Sequence, residues 1–348
     1  MVEKNVINEV KNIYSCLRDN KSKSLFENRL LYMLTEDYKY ISRIIESMPQ
    51  KKRLDQEVAF YKNHIDQTVL YGAGNDLLLL SHLYPDLSIL RICDSSKEKQ
   101  KTGWHGISVM SPEELLRKKD DVYVAITTSG FYEEIVSFLL GQGFKQEQII
   151  NLSLATDVKN QYFDPDIIAP LSGEVFIDGG CFNCSTDKAF INWCSGDYKK
   201  IIAFEPDKKN YFHCMEVSQK EAIRDIEIYN KGLWNCATEL FFEETGGQGS
   251  RIGSDTGGNR ISTAAIDEVA GDEKVTFIKL DVEGAELRAL QGAEKTIRRN
   301  RPRLAVSIYH KPEDIIKLPE YILSLYKDYK LYIRHYQMSS CETILYAL

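Results

Sequence analysis

Long apolar runs are missing from this sequence. Of its 348 residues 43% are hydrophobic, yet no stretch reaches the roughly 20 apolar residues a membrane helix needs. No membrane span is expected, and the apolar residues are left to build cores. The opening, MVEKNVINEVKNIYSCL, is broken by charge every few residues and has no apolar centre of a secretory signal. A cytoplasmic protein is the expectation. An excess of basic charge is missing too. Lys and Arg number 44 against 51 Asp and Glu, a net charge of −7. Phosphate backbones are bound by clustered Lys and Arg, so nucleic acid is not expected as a partner. The short runs Lys51-Lys52-Arg53 and Arg298-Arg299-Asn300-Arg301 read as solvated helix ends, where cations suit the dipole.

Cysteines are present, eight of them, but they lack the pairing that would give them a framework. They are scattered along a chain without an export signal, which speaks against disulfides. Cys181-Phe182-Asn183-Cys184 is a CxxC, and a structural zinc site would want a second pair at similar spacing. None exists, so no metal is expected. The phosphate-cradling G-x-x-x-x-G-K-[ST] is also absent, which disfavours nucleotide hydrolysis.

Three segments can be read. Residues 1–66 are helical, with Phe26, Leu30, Leu31 and Leu34, then Ile41, Ile44 and Ile45, near helical spacing. Packing or homo-oligomerisation is the role expected of them. Residues 67–155 form a small Rossmann-like α/β module. The strand in TVLYGAGNDLLLL meets Gly72-Ala73-Gly74, SILRICD ends at Asp94, and DVYVAIT precedes the helix of FYEEIVSFLLGQGF and a short strand, QIINLS. Gly-x-Gly with an acid about 20 residues on suggests a dinucleotide site, but Leu77 stands where the third glycine belongs.

The third segment, 173–348, follows the linker DPDIIAPLSG. Seven strands are read at GEVFIDGG, KKIIAFEP, DIEIYNKG, VTFIKLD, RLAVSIYH, YKLYIRHY and ETILYAL, with helices between most and a closing antiparallel pair. Between Trp234 and Ala265 an insertion, TELFFEE with GGQGSRIGSDTGGNR, is expected to be a hairpin with a mobile loop. In such a sheet ligands bind beyond the carboxyl ends of the strands. The first strand delivers Asp178-Gly179-Gly180-Cys181-Phe182-Asn183 there, where small residues let a ligand approach the backbone. The second delivers Glu205, whose carboxylate can accept both hydroxyls of a ribose. These two features together call for an adenosine-type cofactor without choosing among them.

The choice comes from a resemblance. The stretches FIDGGCFNCST, AFEPD, NKGLW, FIKLDVEGAE, ALQGA and SIYHKPEDI, closing with LYIRHY and ETILYA, resemble the FkbM family of methyltransferases in order and over nearly all of 173–348. The resemblance implies a class I methyltransferase-like seven-stranded sheet and S-adenosyl-L-methionine as methyl donor. It implies that Asp178, Gly179, Gly180, Cys181 and Asn183 line the cofactor, that Glu205 holds the ribose hydroxyls, that Asn230 approaches the adenine, and that Asp281 sits beside the methyl group. The family usually has Gly where Cys184 stands, so a side chain there is expected to crowd the cofactor or the helix start.

Methyl transfer to a hydroxyl needs alignment and removal of a proton. The candidate bases at strand ends are Lys279, Asp281, Glu283, Glu286 and His310, with His310, Asp281 and Lys279 taken as the catalytic set. His310 is favoured because an ordinary histidine titrates near neutrality, at about 6.5. The expected activity is O-methylation of a sugar, glycan or small metabolite. Two other readings stand beside it: a binding or assembly protein that keeps the fold without turnover, motivated by Cys184, and an NAD-dependent oxidoreductase built on the Gly72 module.

Overall fold

A computed structural model describes residues 2–154, 160–243, 251–252 and 259–348. Four helices open the chain: α1 (Val2–Cys16), α2 (Asn20–Thr35), α3 (Lys39–Ile45) and α4 (Pro49–Asn63). A parallel sheet follows, made of β1 (Thr68–Tyr71), β2 (Ile92–Cys93), β3 (Val109–Met110), β4 (Tyr123–Ile126) and β5 (Ile149–Asn151) in the order β3-β2-β1-β4-β5. Helices α5 (Asn75–Leu83), α6 (Lys97–Thr102), α7 (Pro112–Leu116) and α8 (Tyr132–Gly141) connect these strands. The strand β3 has only two residues and ends one residue before the Ser111-Pro112 helix start, too short to carry a period. That start is sharply specified: Ser111 and Glu114 form a capping box and Pro112 takes the first helical turn.

The larger sheet has seven strands: β6 (Glu174–Gly179), β7 (Tyr198–Phe204), β8 (Ile226–Tyr229), β13 (Phe277–Leu280), β14 (Arg303–Ser307), β15 (Leu331–His335) and β16 (Thr343–Ala347). All seven strands expected from the sequence are there. Their order is β15-β16-β14-β13-β6-β7-β8. Six run in one direction, and β16 alone is reversed, antiparallel between β14 and β15. Helices α9 (Ser185–Trp193), α10 (Lys208–Lys220), α11 (Ile266–Ala270), α12 (Glu286–Gln291), α13 (Glu294–Asn300) and α14 (Asp314–Leu325) join them. Every residue of β6, β13 and β16 is buried, as expected of central strands covered on both faces. An aromatic cluster of Phe163, Phe176, Phe190, Trp193 and Phe277 fills the core beside β6, with Phe176 and Phe190 stacked at 4.3 Å. The insertion pairs β10 (Glu239–Glu243) with β11 (Arg251–Ile252) and β12 (Asn259–Ala264), and β9 (Gly232–Leu233) completes that small sheet. Most of its Gly/Ser-rich stretch lies outside the described residues.

The chain divides into two compact units. One comprises Met1–Met33, Val158–His335 and Cys341–Leu348; the other comprises Leu34–Asp157 and Tyr336–Ser340. The helices of residues 1–66 are therefore shared between the units. In the first unit the start of the chain is fastened to the edge strand β15. Arg334 pairs with Asp19 at 2.8 Å, Ser22 Oγ accepts a hydrogen bond from the Ile333 amide at 2.9 Å, and Leu17 bridges to Leu331. No helix among the described residues is long and apolar enough to cross a membrane.

Candidate active site

The strand order of the large sheet reverses at β6, with β7 on one side and β13 on the other. Open α/β sheets bind ligands in the crevice outside the carboxyl ends of the strands at such a switch point. Asp178, Gly179 and Gly180 stand there on β6, Glu205 after β7, Asn230 after β8, Lys279 and Asp281 on β13, and Tyr309 and His310 after β14. The sheet thus gathers nearly every candidate residue at one end.

Asp178 and Lys279 are directly opposite one another in the β6–β13 register, and the Lys279 ammonium donates to the Asp178 carboxylate at 2.9 Å. It also donates to the carbonyls of Gly179 at 3.0 Å and Gly180 at 2.7 Å. Three protons meet three acceptors in a fully buried place. Burial works against the charge of Lys279, but Asp178 and Asp281 outweigh it and hold its pKa above the ordinary value. Lys279 therefore keeps its proton. The sequence puts Lys279 among the candidate bases; here its ammonium is fully engaged by three acceptors. The second oxygen of Asp178, Oδ2, is buried without a hydrogen-bond partner. Gly180 has φ +84°, and a Cβ there would overlap the Asp281 carbonyl, so the turn admits only glycine.

Glu205 is 5% exposed. Its Oε2 accepts from the Phe182 amide at 3.0 Å and its Oε1 from the Asp207 amide at 2.8 Å. Each oxygen keeps a further lone pair for another donor. Burial drives its pKa up to about 7, against the pull of those two amides. The side chain of Asn230 donates to the Glu205 carbonyl at 2.9 Å and the Pro206 carbonyl at 3.0 Å, fixing the loop that carries the carboxylate. Asn183 accepts from the Ser185 amide at 3.1 Å and opens α9. Cys181, expected to line the cofactor, turns its side chain toward α10. Its thiol is buried against Cys214 and its amide is bonded to the Phe204 carbonyl. Cys184 is buried as well, in a left-handed conformation with φ +60° before α9, so its thiol lies under the turn and does not crowd the crevice.

On the other side of the crevice three carboxylates surround one imidazole. His310 Nδ1 is 2.8 Å from Glu286 Oε1, and Nε2 is 3.4 Å from Glu283 and 3.5 Å from Asp281. Burial lowers the His310 pKa, but the bond to Glu286 and the charges of Asp281 and Glu283 override it and raise it to about 9. This corrects the expectation of a neutral base. That value favours an imidazolium at neutral pH, whose buried Nε2 faces Glu283 and Asp281 and makes no hydrogen bond. Burial raises Glu283 to about 7, partly offset by His310. Glu286 is the hinge of the turn: its Oε1 also accepts from the amides of Val282 and Gly284. Asp281, Glu286 and His310 lie close enough to hold a cation, but their mutual bonds already account for the arrangement.

Three residues of the crevice were not legible in the sequence. Tyr162 donates to Asp281 at 2.7 Å, with the Lys279 ammonium 5.3 Å from its ring centre. Tyr309 donates to Glu342 at 3.2 Å, and Glu342 also accepts from Gln161. Tyr162 sits in what reads as linker and Glu342 in the last turn, so only the fold brings them here. Tyr309 had a signal, its place next to His310 at a strand end.

The crevice fits S-adenosylmethionine by donor chemistry. That molecule carries two cationic centres and a ribose diol, and the crevice offers an orphaned oxygen on Asp178, open acceptor positions on Glu205 and the acidic group around Asp281.

Residues 181–336 match the model of the methyltransferase FkbM domain. The fold is similar to that of a crystal structure of methyltransferase FkbM from Methylobacillus flagellatus, at 18% identity and a TM-score of 0.53, over 92% of this chain and 100% of that one. An rRNA methylase from Streptococcus thermophilus matches over 52% of this chain and 88% of its own, at 16% identity and a TM-score of 0.34. A SAM-dependent methyltransferase from Aquifex aeolicus matches over 55% and 92%, at 12% identity and a TM-score of 0.33. No curated protein matches the sequence.

Proposed function

We propose that this chain, which carries a methyltransferase FkbM domain over residues 181–336, moves a methyl group from S-adenosylmethionine to a hydroxyl of a sugar, glycan or small metabolite. The observation that carries the reading is Glu205, a buried carboxylate at the switch point with both oxygens oriented by backbone amides and both open to further donors. When bound, S-adenosylmethionine supplies a methyl group already activated by a positively charged sulfur.

The chain's own residues do the rest. Glu205 accepts the ribose hydroxyls, and Asn230 holds its loop in place. Asp178, oriented by Lys279, turns its unpartnered Oδ2 to the cationic end of the cofactor. Gly179 and Gly180 give backbone access, and Asn183 shapes the turn where α9 begins. Asp281 faces the positive charge, steadied by Tyr162. His310, as imidazolium, donates from Nε2 to the acceptor oxygen. Glu283, close to half ionised at neutral pH, takes the hydroxyl proton. Isothermal calorimetry tests the first part: S-adenosylmethionine titrated to high concentration should release heat at one site per chain, and no heat would sink the reading. Assay of methylated products tests the second, and transfer to nitrogen or carbon acceptors alone would replace the hydroxyl assignment.

A further inference from the structure

The CxxC of the cofactor turn is not alone. Cys181 and Cys184 flank the turn between β6 and α9, and Cys214 reaches them from the middle of α10. The three sulfur atoms lie within 4.8 Å of one another, and all three side chains are buried. Cys181 Sγ and Cys214 Sγ are 3.7 Å apart. A disulfide would bring them to about 2.05 Å. Two thiolates on one tetrahedral zinc, each at about 2.3 Å, stand about 3.8 Å apart. The observed separation is a thiol contact close to that of shared ligands.

A second buried group lies on α9. Asp187, one turn into α9 from Cys184, is wholly buried, and neither of its carboxylate oxygens has a hydrogen-bond partner. A bare buried carboxylate is costly unless a cation meets it. Cys184 adds a third sign. It holds a left-handed backbone, φ +60°, which a glycine would take without strain, and it spends that strain to aim a thiol inward.

We infer that Cys181, Cys184 and Cys214 bind zinc beneath the cofactor turn, with the buried Asp187 carboxylate, which stands outside their 4.8 Å group, closing on the ion as fourth ligand. Spacing in the sequence asks for a second pair of cysteines, and the fold supplies the missing ligands from two helices. Thiolate ligands select zinc over hard cations. The thiols bind as thiolates, so each bound zinc sends their protons to solvent. With no open position the ion is structural. It staples the turn to α10 and so holds the Phe182 amide on Glu205.

The whole chain, reduced and reconstituted with zinc sulfate, then desalted, tests the site. About one zinc per chain is expected by mass spectrometry of the metal, and zinc-edge X-ray absorption should show three sulfurs and one oxygen. Cys214→Ser should bring the zinc content close to zero, while Cys236→Ser, at an exposed position, should keep it. Zinc-free protein, zinc held by nitrogen and oxygen alone, or a Cys181–Cys214 disulfide in the isolated protein would each overturn the inference. If Cys214→Ser does not fold, the sulfur count of the unaltered protein decides.

Discussion

Each of the two parallel sheets makes the same turn, and the two turns end differently. In the five-stranded sheet Asp94 accepts from the Ala73 amide at 2.8 Å and from the Ser96 amide at 2.8 Å. In the seven-stranded sheet Glu205 accepts from the Phe182 amide and the Asp207 amide in the same pattern. A Gly-bearing turn after one strand thus meets an acid after the next in both. The difference is a cation. Lys99 pairs with Asp94 at 3.1 Å, and the two amides and that ammonium outweigh burial to keep its pKa low. Among the described residues no cation pairs with Glu205, and burial lifts it to about 7. The chain meets Asp94 with its own ammonium and, among the described residues, gives Glu205 none.

The largest expected effect concerns the lysine that does serve the crevice. Lys279→Met strips the paired ammonium from the buried Asp178 and should cost about 3–5 kcal/mol in denaturant unfolding. A loss below 1 kcal/mol would show that Asp178 is buried uncharged. Next, Glu205→Ala should weaken S-adenosylhomocysteine by about 100-fold, since two hydrogen bonds to a charged group are lost. Asp94→Ala should leave that affinity unchanged, and equal losses in both variants would erase the distinction between the turns.

The third effect is on pH. Glu205 binds hydroxyl donors better as a carboxylate, and its pKa stands at about 7. Affinity should then rise by up to tenfold per unit as the pH climbs toward 7, then level off. Turnover should follow Glu283 up through about 7 and fall as His310 loses its proton near 9. His310 also links pH to stability. Its folded pKa lies above the unfolded value, so its contribution is complete below about 6.5 and is lost as the pH rises through about 9. Calorimetric melting across that range reads it, and a stability flat from 6 to 10 would contradict the ion cluster. The smallest effect is Lys99→Met. Its side chain is 39% exposed, so at most about 1 kcal/mol is at stake. The informative readout is the Asp94 titration by NMR, which should move up toward that of Glu205.

Much of this arrangement could be read in advance. The seven strands of the large sheet are apolar runs with turn residues at their ends, and the residues at those ends are neighbours in any such sheet. Glu205, Asp178 and the glycines were legible for that reason. The roles of Lys279 and His310 were not. A strand-end lysine is free or spent according to what faces it across the sheet, and only the β6–β13 register shows that Asp178 does. His310 is pushed up by Glu283 and Glu286 from one turn and Asp281 from a strand, a convergence no spacing reveals. Tyr162, Glu342 and Cys214 were missed because their partners are far away in sequence. Cys184 looked like an intruder in the cofactor turn, and in the fold its thiol belongs to the layer below.

The central claim is that the turn around Glu205, and not its twin around Asp94, receives the methyl donor. A crystal structure of the protein soaked with S-adenosylhomocysteine tests it most directly. The account predicts one ligand per chain, with its ribose hydroxyls on Glu205 and its sulfur beside Asp281. A ligand seated at Ala73 and Asp94, or a crevice that stays empty at saturating ligand, would contradict it.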